Sequence, residues 1–356
     1  MPFGTLTTLD TLATLRAQSG VIAEIGEDFA FESIQMALDV HNQLLAEAIN
    51  DFVEMSTDRL RRYGGPDQMQ MEELDEFGTA SAQKISAGAT MGFPLQFFGG
   101  GLQWSRLYFQ NATGAELAAQ VSAMMDADVK NVLKRLKYAL MTPTNYTFED
   151  RRVDHVQLGV KALVNADGAP IPIAPDGTTF NASTHTHYLG TNSFGASDLT
   201  SLTNTVIEHF LHGSIKVLIN QGSEASVRGL TGFQPYFDGR LTPTITTTNA
   251  DQVALDVMNI TNRAIGIYGP AEIWVKPWIP ANYMIALMDD PQQKALVMRT
   301  RSAGSGDLEL LFDNEIYPLR ARNYGREFGM GVWNRVAAAV LYIGNSTYQA
   351  PALSSL

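Results

Sequence analysis

The chain has 356 residues, of which 45% are hydrophobic and 17% are charged, so it can bury a sizeable core and should not be disordered. Its 37 acidic and 25 basic residues give a net charge of -12, which argues against a dedicated binder of DNA or RNA. The absence of cysteine excludes disulfides and cysteine zinc sites, and no window approaches the ~20 apolar residues that a membrane-spanning helix needs.

The N-terminal part of the chain predicts an arm followed by a helix. Residues 1–26 are rich in small polar residues and broken by glycines, which is typical of an extended or weakly structured arm. Residues 27–64 carry an apolar stripe at helical spacing, with acidic residues at the start and arginines at the end, as the helix dipole favours. His41 lies on this stripe, and we interpret it as a core histidine rather than a ligand.

Residues 65–110 predict a long two-stranded excursion with small residues at its edges. Its run of three glycines is not followed by Lys-Ser/Thr or by a helix start, so a phosphate-binding loop is not supported. The large aromatic side chains near its end have no obvious core of their own. We therefore expect an exposed cluster that contacts another subunit, formed by Phe93, Phe97, Phe98 and Trp104.

A second long helix is predicted from Thr113 to Met141. It opens with a capping box, in which the Thr113 hydroxyl and the Glu116 carboxylate satisfy free amides of the first turn. One face is apolar, and its C-terminal half carries several lysines and an arginine. This basic cluster fits either a nucleic-acid patch or a solvated face with salt bridges, and we favour the second because aspartates precede it by one turn.

The middle of the chain alternates turns, strands and a shorter helix. Two Asp-Gly pairs in residues 153–190 predict turns of a small antiparallel unit. A helix is predicted from Asp198 to Gly213 and a buried strand from Lys216 to Asn220. Residues 243–248 look like a strand, whereas the residues that follow fit either a helix or a strand.

Histidines form the best metal candidate in the sequence. A strand over residues 184–188 would point two of them the same way, and two more lie one helical turn apart beside Glu208. No His-Glu-x-x-His pattern accompanies them and no spacing rule joins the pairs, so we predict neither a metal nor any other cofactor. The weak candidate ligands are His185, His187, His209 and His212.

The densest strand signal runs from Gly269 to Ile343, and it contains apolar and turn residues rather than reactive side chains. The whole chain also lacks a Gly-x-Ser-x-Gly elbow, a Walker loop, a dinucleotide fingerprint and a thiol nucleophile. We therefore expect a structural protein with no catalytic residues, not an enzyme. We also expect this stretch to present four arginines to neighbouring subunits, namely Arg299, Arg301, Arg326 and Arg335.

Several segments resemble the major capsid proteins of tailed bacteriophages, the family with the Hong Kong 97-type fold, and in particular those of phages of actinobacteria and similar hosts. The resemblance covers the whole chain in the order of its elements. The segments that carry it are Val164–Gly168, Thr184–Gly190, Val217–Asn220, Val227–Leu230, Trp274–Tyr283, Ala295–Arg301, Glu315–Leu319 and Tyr324–Val340.

This resemblance implies an α+β fold with an N-terminal arm, an extended loop, a peripheral domain with a long spine helix, and an axial domain. The implied divisions are an arm (1–26), a long helix (27–64), the extended loop (65–110), a peripheral domain with the spine helix and a β insertion (111–190), the axial domain (191–290) and closing strands shared between the two domains (291–356).

It also implies a subunit that self-assembles as hexamers and pentamers into an icosahedral shell around double-stranded DNA. The shell would be the capsid of a virion, assembled in the cytoplasm of the bacterial host and free of membrane. Implied partners are the portal, possible decoration proteins, packaged DNA in non-specific contact, and a possible separate scaffold protein, since the 26-residue arm is too short to be a scaffold domain. The alternatives are an encapsulin-type nanocompartment shell and, less favoured, a histidine-metal enzyme.

Overall fold

The computed structural model describes residues 12–18, 20–63, 71–74, 76–82, 89–210, 213–236, 262–290 and 294–352. Within these ranges the α-helices are α1 Ala13–Arg16, α2 Ile22–Ile25, α3 Glu27–Ile49, α4 Arg106–Asn111, α5 Gly114–Met141, α6 Ala196–Ile207 and α7 Glu224–Arg228. The first eight strands are β1 Val53–Ser56, β2 Leu60–Tyr63, β3 Ala89–Gly92, β4 Gln96–Ser105, β5 Tyr146–Glu149, β6 Gln157–Val160, β7 Tyr188–Thr191 and β8 Ser214–Ile219. The others are β9 Phe233–Pro235, β10 Arg263–Tyr268, β11 Ala271–Val275, β12 Tyr283–Asp289, β13 Leu296–Arg299, β14 Glu309–Ile316, β15 Leu319–Val332 and β16 Ala338–Ile343.

The chain forms two compact units. The first consists of Met1–Thr57, Leu95–Tyr138 and Met298–Met330. The second consists of Asp58–Pro94, Ala139–Val297 and Gly331–Leu356. The predicted boundaries of peripheral and axial domains stay a prediction.

Helix α5 has the start and the apolar face that the sequence predicts. The Thr113 amide donates to Glu116 Oε2 over 2.7 Å, and the Glu116 amide donates to Thr113 Oγ1 over 3.3 Å, so the capping box is confirmed. The apolar face is buried along the helix, with Leu117, Val121, Met125, Val132, Leu136 and Leu140.

The core of the first unit joins α3, α4 and α5 with residues of the arm. Leu12, Leu15 and Ile22 are buried in the same hydrophobic cluster as Phe31 of α3 and Trp104 of β4. The expectation of an extended or weakly structured arm is therefore wrong for residues 12–18 and 20–26, which contain α1 and α2 and bury apolar side chains.

A five-stranded sheet accompanies these helices. Its order is β1-β13-β15-β14, and β4 pairs antiparallel with β15 over residues 96–105. The two strands of the predicted 65–110 excursion thus do not pair with each other, since β3 pairs with β2. Each of these strands pairs with a strand that lies elsewhere along the chain, and the spacing of residues within a strand does not predict its partner.

Helix α3 ends at Ile49, whereas the sequence predicts a helix to residue 64. Residues 53–56 and 60–63 form strands instead. Ser56 accepts a backbone hydrogen bond of 2.9 Å from the Thr300 amide, and such pairing overrides a helical period of apolar residues.

The second unit is built on a seven-stranded sheet with the order β7-β16-β12-β8-β11-β10-β9. The pairs β8/β11 and β7/β16 are parallel and the other pairs are antiparallel. Most residues of the central strands β8, β12 and β16 are buried, and α6, whose Leu199, Leu202 and Val206 are buried, packs against all three strands. The predicted strand at Lys216–Asn220 is confirmed, and the predicted helix after Asp198 is confirmed but ends at Ile207.

The predicted β unit of residues 153–190 is only partly present. Strand β6 lies in this range but pairs antiparallel with β5, which precedes it. Gly168 and Gly177 have φ of 73° and 86°, as the two Asp-Gly turns require. Residues 171–173, an apolar run of this unit, do not form a strand. Between β6 and β7 the Ala166 amide donates to the His185 carbonyl and the Gly168 amide to the Ala182 carbonyl, both over 3.0 Å. The predicted strand at 243–248 lies outside the described residues.

Gly190 lies where the backbone of β7 approaches another segment closely. A Cβ atom there would meet the Asn345 carbonyl oxygen and the Thr347 carbonyl carbon, both at 2.7 Å. We expect Gly190→Ala to lower the free energy of unfolding by roughly 1–3 kcal/mol, measured by denaturant titration. Gly159→Ala is the matched control, because nothing lies within 4 Å of the added atom. Equal midpoints for the two variants would contradict the prediction.

Candidate functional site

The four aromatic residues expected in an exposed cluster have different environments. Phe93 and Trp104 are buried, and the Trp104 indole donates to Gln120 over 2.6 Å. The expectation of exposure is therefore wrong for both residues. Trp104 lies in β4, which pairs with β15, and is part of the core of the first unit. Phe93 precedes β4, and its ring packs against Trp333. Phe97 is exposed and Phe98 is half-buried, and their contact with a neighbouring subunit stays a prediction.

The four predicted interface arginines also differ in their exposure to solvent. Arg301 is exposed at the surface, where its side chain pairs with Glu327. Arg299, Arg326 and Arg335 are buried within their own chain, so the expectation that they present their guanidinium groups to neighbours is wrong for the protomer. A buried guanidinium must be paired and hydrogen-bonded, which explains its internal role.

Arg326 lies at the centre of a buried polar network in the first unit, with 4% of its surface exposed. It donates to both Asp128 oxygens, over 3.0 and 2.9 Å, to Asn42 Oδ1 over 2.7 Å and to the Gly306 carbonyl over 2.5 Å. His41 Nε2 lies 3.0 Å from Asp128 Oδ2. The interpretation of His41 as a core histidine is confirmed.

Arg335 lies at the centre of a buried polar network in the second unit, with 1% of its surface exposed. It donates to the carbonyls of Ala162 and Leu163 over 2.8 and 3.2 Å, and to the side chains of Asn165 and Asp167 over 2.7 and 3.1 Å. Burial alone would raise the pKa of Asp167, but the hydrogen bond from Lys161 and the charge of Arg335 hold it well below its usual range.

The structure brings together three of the four candidate histidines. His185 and His187 lie just before β7, which begins at Tyr188, and Glu208 and His209 follow directly after α6, which ends at Ile207. His187 Nε2 and His209 Nε2 lie 3.1 Å apart, and His185 Nε2 lies 3.2 Å from His209 Nε2. Glu208 Oε1 lies 3.4 Å from His185 Nε2 and 3.7 Å from His209 Nε2. His212 lies outside the described residues.

The protein backbone fixes the orientation of one imidazole. His187 Nδ1 donates to the Ala338 carbonyl over 2.7 Å, so in the neutral ring the lone pair of Nε2 points toward the other histidines. The Val164 carbonyl accepts the His187 amide over 2.8 Å, and Val164 follows the two carbonyls that Arg335 binds. The Arg335 network therefore supports the segment that carries the cluster.

Burial disfavours the charged form of the imidazoles in this cluster. It lowers the pKa of His185, lowers the pKa of His209 to about 4, and together with the neighbouring His209 lowers the pKa of His187 well below its usual value. Burial also raises the pKa of Glu208. Neutral imidazoles with converging lone pairs and one carboxylate are a donor set suited to a divalent cation.

Sequence reasoning identified the histidines but missed the groups that hold them. The Ala338 carbonyl lies 151 residues from His187 along the chain. The anionic partners of the buried arginines, Asp128 and Asp167, are similarly remote, at separations of 198 and 168 residues. The signals in the sequence were the i, i+2 pair His185/His187 and the pair His209/His212 beside Glu208.

Comparison with known proteins gives matches among solved structures only; no protein-family model and no curated protein matches the chain. A chain in a structure of Mycobacterium phage Patience is similar at a TM-score of 0.66 and 20% identity, over 95% of this chain and 93% of that one. A cyanophage A-1(L) capsid chain has a TM-score of 0.49 at 12% identity, over 85% and 93% of the two chains. A capsid chain of a native GTA particle has a TM-score of 0.48 at 12% identity, over 85% and 90%.

The similarity to the phage Patience chain shows a shared fold over 95% of this chain. The resemblance noted in the sequence is thereby confirmed at the level of the fold. No helix in the described part of the chain is long and apolar enough to cross a membrane.

Proposed function

We propose that this chain is the major capsid protein of a tailed bacteriophage, a structural subunit that assembles into an icosahedral shell. The observation that carries the proposal is the fold shared with the phage Patience chain over nearly the whole length of both proteins. The capsid-like segments of the sequence support it independently, because they were recognised from residues and not from the fold.

The β14–β15 hairpin supports self-association. Strand β14 lies at the end of its sheet and has no second strand partner among the described residues. A free strand edge with large apolar side chains is a template for contact with another chain. The exposed apolar residues of the hairpin are Leu311, Phe312, Ile316, Tyr317 and Leu319.

The proposed shell encloses double-stranded DNA, and the net charge of -12 supports this role. Packaged DNA must move during filling, and an acidic protein does not grip phosphates tightly. The proposal includes assembly as hexamers and pentamers in the host cytoplasm, with portal, decoration and separate scaffold proteins as further partners. A nanocompartment shell with the same fold would enclose protein cargo instead.

The test is to express the full chain, alone and together with its neighbouring gene products, and to examine it by light scattering and negative-stain microscopy. We expect closed shells of many copies, and nuclease-protected DNA in particles from the native source. A monomer under all of these conditions would contradict the proposal. Shells that contain enzyme cargo and no protected DNA would support the nanocompartment.

We expect Ile316→Asp to reduce the yield of shells by roughly tenfold while leaving the melting temperature nearly unchanged. Ile316 is exposed, so the substitution should cost the protomer less than about 0.5 kcal/mol, whereas it places a charge in the proposed contact. Val153→Asp is the matched control, since it changes an exposed apolar residue in a turn of the second unit. Normal shell yield with Ile316→Asp would exclude the hairpin from the contact.

A further inference from the structure

We propose that the second unit binds one divalent transition-metal ion of the zinc type, which ties the C-terminal end of α6 to the segment entering β7. The inference does not rest on shell assembly, because all of the ligands belong to one chain. They are His185, His187 and His209 through Nε2, and Glu208 through a carboxylate oxygen.

The spacing of the donor atoms fits a tetrahedral ion. A Zn–N distance of about 2.0–2.1 Å at tetrahedral angles places two ligand nitrogens roughly 3.3–3.4 Å apart. The two Nε2 contacts of His209 are 3.1 and 3.2 Å, and the Glu208 oxygen lies 3.4 Å from His185 Nε2. All four donor atoms lie within 4.8 Å of one another, so small side-chain movements suffice to centre an ion.

Hydrogen bonds between the rings do not account for this convergence. Because His187 Nδ1 donates to the Ala338 carbonyl, Nε2 of the neutral His187 ring can only accept. If His209 Nε2 carries a proton, that proton can point well at His187 or at His185, but not at both. If His209 Nε2 carries none, two lone pairs face each other across the 3.1 Å contact with His187. A cation between the rings accepts the lone pairs of all three Nε2 atoms, and so accounts for the short contacts of His209 with both His187 and His185.

The surroundings have two further properties of a metal site. Metal-ligating histidines commonly donate their second ring nitrogen to a carbonyl or carboxylate, as His187 does to Ala338. Helix α6 ends directly before Glu208, its last turn contains no basic residue, and the negative end of a helix dipole favours a nearby cation.

The number of ligands and their burial assign the ion a structural role. Four protein ligands close a tetrahedral zinc site, whereas a catalytic site keeps a position open for water or substrate. The side chain of His209 is fully buried and His187 is buried with it, while those of His185 and Glu208 are 18% and 35% exposed. The ion would therefore enter from the side of Glu208 and His185.

The experiment uses the full-length protein without a histidine tag, in whatever assembly state it is purified. After treatment with a chelator and gel filtration, zinc is titrated against a competing chelating dye, and bound metal is counted by mass spectrometry. We expect roughly one zinc ion per chain and a melting temperature that rises with zinc. Cobalt(II) should give the intense visible absorption of a tetrahedral site.

Two ligand variants and one control decide the outcome. His185→Gln and Glu208→Gln change partly exposed residues, so they should fold, and each should weaken zinc binding by about tenfold or more. His155→Gln is the control, because His155 is exposed and pairs with Glu149 away from the cluster. Wild-type affinity in both ligand variants, or no zinc bound by the wild-type chain, would overturn the proposal.

Discussion

Replacing Arg326 with methionine should lower the free energy of unfolding by roughly 3–5 kcal/mol. The guanidinium makes four hydrogen bonds, to Asp128, Asn42 and the Gly306 carbonyl, and only 4% of the residue is exposed. Methionine fills much of the same volume, so the loss should come from electrostatics. Among the described residues, the buried Asp128 carboxylate would keep His41 as its one ion-pair partner.

Arg301→Met is the matched control for this experiment. Arg301 lies in the same unit and binds Glu327 through two bonds of 2.6 and 2.7 Å, but its side chain is 45% exposed. Water screens such a pair, so the control should cost about 0–1 kcal/mol. The measurement is the denaturant midpoint of the purified chain, with the slope of the transition checked for each variant. Equal losses in the two variants would show that burial of the pair does not matter.

A second substitution tests why Arg326→Met destabilises. Adding Asp128→Asn removes the buried charge and keeps an acceptor for His41. We expect the double variant to recover roughly half or more of the lost stability, since an unpaired buried charge costs more than an unpaired neutral group. A double variant less stable than Arg326→Met would mean that the carboxylate is satisfied without the arginine.

Local patterns in the sequence predicted the local structure well. The capping box at Thr113 and the apolar face of α5 involve residues three and four apart, and physical rules for such spacing are specific. The same rules failed at residue 49, because the strands that follow α3 are decided by partners far along the chain. The whole-chain fold was predicted from resemblance, which carries long-range information that periodicity lacks.

Buried arginines show the limit of this reasoning most clearly. Arg326 and Arg335 lie in a stretch of strands and turns, where an arginine is usually exposed, and sequence alone gives no sign of burial. The ion-pair partner of each is more than 160 residues away. The histidine cluster is an intermediate case: each pair was visible in the sequence, but the meeting of the pairs depends on the packing of α6 beside β16.

Arg335→Met should also lower the free energy of unfolding by roughly 3–5 kcal/mol, but for a different reason. Two of its partners are the main-chain carbonyls of Ala162 and Leu163, which methionine leaves buried without these bonds. The Asp167 carboxylate keeps Lys161 at 2.8 Å and Asn145 at 2.7 Å, so its charge stays compensated. The loss should therefore come from unsatisfied carbonyls rather than from an uncompensated charge.

The response to a second substitution separates these two causes. Asp167→Asn should not rescue Arg335→Met, because it restores no donor to the carbonyls and weakens the pairing with Lys161. Arg335→Met should also destabilise the segment that carries the histidine cluster, since the Val164 carbonyl accepts the hydrogen bond of the His187 amide. Hydrogen exchange at His187 should accelerate more in Arg335→Met than in Arg326→Met, whose partners all belong to the first unit. Rescue by Asp167→Asn would show that Arg335, like Arg326, serves mainly to neutralise a buried carboxylate.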